Sequence, residues 1–181
     1  MSEIKPNGIL EFWRDAGSSA WWRKDLKFDA RIKHRFGEFH QRASNCEYDD
    51  WRQKAQSCLA LVIVLDQFSR NLFRGSEKTF SQDAYALELA KYAVKNGFDR
   101  NEPKELYEFL YMPFMHSEML EDQETCVELF RRAENEGSLK AAIEHCDIIS
   151  RFGRFPHRNA IVGRQTSPEE QAFLDSGGFQ G

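Results

Sequence analysis

Cys58-Leu59-Ala60-Leu61-Val62-Ile63-Val64-Leu65-Asp66-Gln67-Phe68-Ser69-Arg70-Asn71 decides the fold. Its first eight residues are apolar on every side, which suits either a buried strand or a helix enclosed by neighbours. A strand would need turn residues soon after Leu65. Instead the chain continues through Asp66 to Asn71 without glycine or proline, so the stretch reads as the end of a helix from about Trp51 to Asn71. A helix that is apolar all round demands cover, and the flanking sequence supplies it as further helices.

Upstream, Ile9, Leu10, Phe12 and Trp13 open a short amphipathic helix that Gly17-Ser18-Ser19 breaks. Phe28, Ile32, Phe36, Phe39 and Ala43 then recur at spacings of three and four, the stripe of one helix face. Downstream, Phe80, Ala84, Leu87, Ala90 and Val94 mark a helix from Ser76 or Glu77 that Gly97 closes. Pro103 fits a first helical position, and Pro113 forces a kink or restart. Val127, Leu129 and Phe130 belong to a helix ending near Gly137. Leu139, Ala142, Ile143, Cys146 and Ile149 stripe the next. Ser167-Pro168-Glu169-Glu170 reads as a capping box. The expectation is an all-α fold, an array of antiparallel helix pairs in one domain spanning residues 1–181, with roughly eight or nine helices. The helix lengths suit the tetratricopeptide class, but no consensus recurs at its period of about 34 residues.

Bulk properties bound the function. A net charge of −4 without a long basic run gives no global nucleic-acid surface. The apolar run at Cys58–Leu65 is far short of the ~20 residues a membrane helix needs. Met1–Pro6 lacks a signal-peptide apolar region. Cys46, Cys58, Cys126 and Cys146 form no CxxC pair, so they read as reduced thiols of a cytoplasmic protein, the last three on buried helix faces. Trp13, Trp21, Trp22 and Trp51 read as packing residues. No HExxH, GxSxG, GxGxxG or P-loop sequence occurs. Neither cofactor nor metal is expected, although His116, His145 and His157 are residue types a metal would use.

Three segments mix charge with apolar bulk in a way that a plain core would not. In the first, Asp66 and Arg70 are four apart, as are Gln67 and Asn71, which predicts an ion pair and an amide pair on one face; Arg74 follows. The second, Tyr111-Met112-Pro113-Phe114-Met115-His116-Ser117-Glu118, sets His116 and Glu118 beside a proline that frees backbone groups. The third runs from Arg151 through Gly153, Arg154, Phe155, Pro156, His157 and Arg158 to Asn159, with His145 before it and Arg164 after it. Pro156 pushes Phe155 toward an extended conformation, so the preceding helix should stop near Arg154. Phenylalanines seek burial, and arginines accept it only with partners. The cations therefore face either this chain's own carboxylates, as a clasp, or an anionic ligand.

Those three segments also carry a likeness. They resemble the hallmark motifs of DUF924, a bacterial family of uncharacterised proteins, and the likeness extends from Ile9-Leu10-Glu11-Phe12-Trp13 to Phe173-Leu174. Ser69 stands where that family usually has proline. The resemblance implies an all-helical, tetratricopeptide-like fold and transfers no catalytic residue.

The expected site brings the three segments into one polar patch. It would bind a small anionic molecule or an acidic peptide end, with Arg70, Arg154, His157 and Arg158 on the negative group, Gln67 and Asn71 orienting it, and Tyr111 and Phe155 covering it. Asp66, Arg74 and Asn159 complete the candidate list. Two alternatives stay open: a hydrolase using His116 or His157 as base with Glu118 orienting it, and an interaction scaffold whose polar cluster is only structural.

Overall fold

In the computed structural model the described residues are 4–101 and 103–181. Met1, Ser2 and Glu3, part of the N-terminal reading above, lie outside them. The described residues form α-helices joined by 3₁₀ and π turns, with no strand among them. The fold is all-α, as the periodicity predicts. The chain divides into two compact units, Met1–Arg74 with Lys78–Pro113, and Gly75–Glu77 with Phe114–Gly181.

The first unit holds α1 (Pro6–Ala16), α2 (Ser18–Trp21), α3 (Leu26–Ser44), α4 (Ala55–Ile63), α5 (Ser69–Leu72), α6 (Asp83–Lys95) and α7 (Lys104–Tyr107). Asp25 starts α3 by accepting the Lys27 and Phe28 N–H groups at 2.8 and 3.2 Å. α4 is the centre. Ser57 to Ile63 are all buried, and α1, α6 and the 3₁₀ turn Glu108–Leu110 pack on it. Its helical path starts later than Trp51, because extended Lys54 separates it from the 3₁₀ turn Asp49–Gln53. Its far end is a π turn, Val64–Phe68, leading straight into α5. Aromatic rings seal one end of the unit: Trp13 stacks on Trp21 and meets Phe28, Phe68 and Phe109 edge-on or tilted. Trp22 stands mostly in solvent yet still stacks on Phe109.

Two expectations here need correction. α6 buries Ala86, Leu89, Ala90 and Ala93, while Ala84 is exposed and Phe80, Leu87 and Val94 are half-buried. Three of the four buried positions are alanines, and small residues allow a helix to lie close against α4. The large side chains that defined the expected stripe fall at its margins. Pro103 is the residue before α7 rather than its first, with extended backbone as proline's fixed φ allows.

The second unit contains most of α8 (Met112–His116), then α9 (Leu120–Ala133), α10 (Glu136–Phe152) and α11 (Pro168–Asp175). α9 and α10 are an antiparallel pair joined by Glu134 and Asn135 alone. Glu134 takes the left-handed conformation that ends α9, and Asn135 caps α10 by accepting the Ser138 N–H at 3.0 Å. Gly137 therefore sits inside the first turn of α10 rather than ending α9. On α10 the buried residues are Ala142, His145, Ile148 and Ile149; Ile143, expected inside, is exposed. The true stripe includes a histidine, which the apolar pattern passed over. Gly153 closes α10 at φ 67°, a conformation open to glycine without strain. Ser167 and Glu170 make the expected capping box on α11.

Candidate functional site

The polar segment of the first unit is organised by its π turn. Asp66 is fully buried, and its carboxylate meets Arg70 at 3.2 Å, so the predicted ion pair forms. Gln67 donates to the other oxygen of Asp66 at 2.6 Å. The predicted Gln67–Asn71 pair does not form. The Gln67 amide is already engaged by Asp66. Asn71 instead donates to Asp29 at 2.7 Å. Arg70 also pairs with Asp83, at 3.0 and 3.2 Å. Burial opposes its charge, but Asp66 and Asp83 outweigh that and hold its pKa above the ordinary value. Arg74 donates twice to Asp29, at 2.6 and 3.1 Å.

Asp29, Asn71 and Arg74 form part of the wall of a cleft of about 320 Å³. Lys24, Leu26, Ala30, Lys33 and Leu72 line the rest. Asp29, Lys24 and Lys33 were not among the expected site residues. The i,i+4 logic that found Asp66–Arg70 cannot reach partners more than forty residues away on α3. Tyr111, expected as a cover, is buried and donates to Asp99 at 2.9 Å.

In the second unit the other two segments do meet. Glu118 accepts the Phe155 N–H at 2.9 Å and both guanidinium arms of Arg164, at 2.7 and 2.9 Å. Burial works to raise its pKa, but the Arg164 and Phe155 hydrogen bonds and the charges of Arg164 and Arg158 prevail and lower it. Arg158 is buried, donates to the His116 carbonyl at 2.9 Å, and lies 4.6 Å above the Phe155 ring. Arg154 binds Glu170 at 2.6 and 2.8 Å, and Arg151 reaches Glu169 at 3.1 Å. The Arg154 hydrogen bonds lower Glu170 to about 2. Asn159 is fully buried and donates to Thr166 at 3.5 Å. Phe155 is fully buried, and its extended backbone is the one that Pro156 demands. Here Arg151, Arg154 and Arg164 pair with the chain's own carboxylates Glu169, Glu170 and Glu118.

Gln123 escaped the sequence reading. Its side-chain amide donates to the carbonyls of Phe114, Met115 and Ser117, at 3.3, 2.8 and 2.6 Å. It satisfies the backbone groups at the end of α8 that no helix continues to use. His116, His145 and His157 come within electrostatic reach of one another. Among the described residues no three His, Cys, Asp or Glu side chains stand together as metal ligands would.

The pattern that defines the bacterial proteins of unknown function called DUF924 matches residues 9–178. The chain belongs to this family. A solved structure, that of the protein of unknown function ATU0120 from Agrobacterium tumefaciens, is 40% identical over 94% of this chain and 97% of that one, with a TM-score of 0.91. No curated protein matches the chain. No described helix of this DUF924 protein is long and apolar enough to cross a membrane.

Proposed function

We propose that this protein binds a small anionic molecule or an acidic peptide end in the cleft between α3 and α5. The observation that carries this reading is the charge on the wall: Lys24, Lys33 and Arg74 against Asp29 alone. The Arg74 guanidinium and the Asn71 amide are already held in place by Asp29, so they form a fixed floor. Lys24 and Lys33 are exposed at the rim and can close on an entering carboxylate or phosphate. Leu26, Ala30 and Leu72 offer apolar contact to the body that carries the anion. A volume near 320 Å³ suits a compact ligand, at the low end of the roughly 300–1,000 Å³ usual for such sites.

The hydrolase alternative draws less support. Both oxygens of Glu118 are engaged by Arg164 and Phe155, which leaves it poorly placed to orient His116. The clasp in the second unit suits a structural role that keeps the polar turn after α10 in place.

Thermal shift and calorimetry with citrate, succinate and inorganic phosphate test the reading. At least one probe should raise the melting temperature, and a Lys24→Ala, Lys33→Ala double variant should lose that rise while keeping its own melting temperature. No binding by any probe, or equal binding by the double variant, overturns it.

A further inference from the structure

The segment Gly177–Gly181 crosses a patch of the second unit that the clasp leaves unused. Phe179 packs on the cluster of Ile148, Ile149 and Phe155. Its ring meets His145 edge-on at 4.4 Å and His157 edge-on at 5.0 Å, so it sits between two imidazoles. The Gly178 N–H donates to the Phe173 carbonyl at 3.0 Å, and a Cβ at Gly178 would stand 2.5 Å from the Phe173 ring. The Gln180 amide turns back onto the carbonyls of Leu174 and Gly178. One ring inserted between two histidines is the main anchor.

The geometry points to an acid-sensitive strap: Gly177–Gly181 is latched by Phe179 between His145 and His157, and protonation of those rings releases it and uncovers them together with Phe155. Both histidines are poor hosts for a proton. The Nδ1 of His145 donates to the Ala141 carbonyl at 2.8 Å, leaving Nε2 as the site to be protonated. The Nδ1 of His157 is buried without a hydrogen-bond partner. An added proton there would face no acceptor. The surrounding charges are mostly of the same sign. Arg158, His116 and His145 disfavour charge on His157, and only Glu118 favours it; Arg158 and His116 act alike on His145. Burial first, then these neighbours, lowers both rings to about 4 from 6.5. The docked strap therefore requires neutral rings. Its hold is complete above pH 6.5, weakens as the pH falls toward 4, and weakens no further below that. Opening costs the protein the contacts of one ring and the few hydrogen bonds of Gly178 and Gln180, so the strap can yield before the helices do.

Backbone relaxation by NMR on the whole chain, from pH 7.5 to 4, tests this. Order parameters of Gly178 to Gly181 should fall from about 0.85 to below about 0.6 as the His145 and His157 ring protons titrate, while α4 and α9 amides stay native. His157→Phe keeps a ring against Phe179 but cannot take a proton, and should hold the strap to lower pH. Phe179→Ala should free the segment already at pH 7.5. The proposal is overturned if the strap stays ordered at pH 4, if it loosens identically in His157→Phe, or if it loosens only together with every other amide.

Discussion

The guanidinium of Arg164 meets both carboxylate oxygens of Glu118, at 2.7 and 2.9 Å, across 46 residues of chain. With the Phe155 N–H on the same carboxylate, this ties the end of α8 to the turn beyond α10. Glu118→Ala would strand the Phe155 N–H and Arg164 together. It should cost about 1–3 kcal/mol in urea unfolding. Glu118→Gln keeps an acceptor for Phe155 and should cost less, the difference reporting the charge. The carboxyl is held below its ordinary 4.5, so its contribution is present above that pH and is lost as the pH falls through the lower folded value. The stability gap between wild type and Glu118→Gln should therefore narrow in acid. A gap that is constant from pH 7 to pH 3 would remove the ion pair from the account.

A second tie lies in the first unit, where Ser69 and His40 are both buried. The Ser69 hydroxyl donates to the Leu65 carbonyl, so its contact with His40 Nε2 at 2.8 Å must be an N–H donated by the ring. Burial lowers His40 to about 4 from 6.5. Ser69→Ala leaves that ring N–H without its acceptor and should cost about 1–3 kcal/mol. Because the folded state prefers the neutral ring, the stability of this unit should decline as the pH falls from 6.5 toward 4. His40→Gln should flatten that decline. Calorimetric melting across this pH range would expose an equal slope in wild type and variant, which is the result this account cannot accommodate.

Much of the architecture was legible because its signals are local. The apolar run at Cys58–Leu65 announced a covered helix, Gly153 before Phe155-Pro156 announced a stop, and Ser167 with Glu170 announced a cap. Each rests on spacing within about two helical turns. What escaped was set by neighbours distant in sequence. α6 turns its alanines inward against α4, and α10 buries His145 against Phe155 and Phe179 while Ile143 faces solvent. The site followed the same division. Asp66–Arg70 was readable at four residues apart. Asp29, which organises Asn71 and Arg74, was not, since no local pattern links α3 to α5. The π turn at Val64–Phe68 left no mark in composition either.

The four thiols offer a probe of how the units open. Cys46 is exposed and sits in a left-handed turn after α3, while Cys146 is half-buried. Cys58 and Cys126 are buried, and burial pushes Cys58 up to about 12. Burial raises Cys126 as well, with Cys146 across the α9–α10 pair adding to it. The thiolate is the reactive form, so burial and a raised pKa both slow Cys58 and Cys126. An aromatic disulfide reagent at pH 8, followed by peptide mass spectrometry, should label Cys46 first and Cys146 more slowly. Cys58 and Cys126 should react only through opening of the structure. Arg164→Ala should speed labelling of Cys126 more than of Cys58, since the lost tie belongs to the unit that holds α9. Equal acceleration at both cysteines would mean that the clasp supports the whole chain rather than the second unit alone.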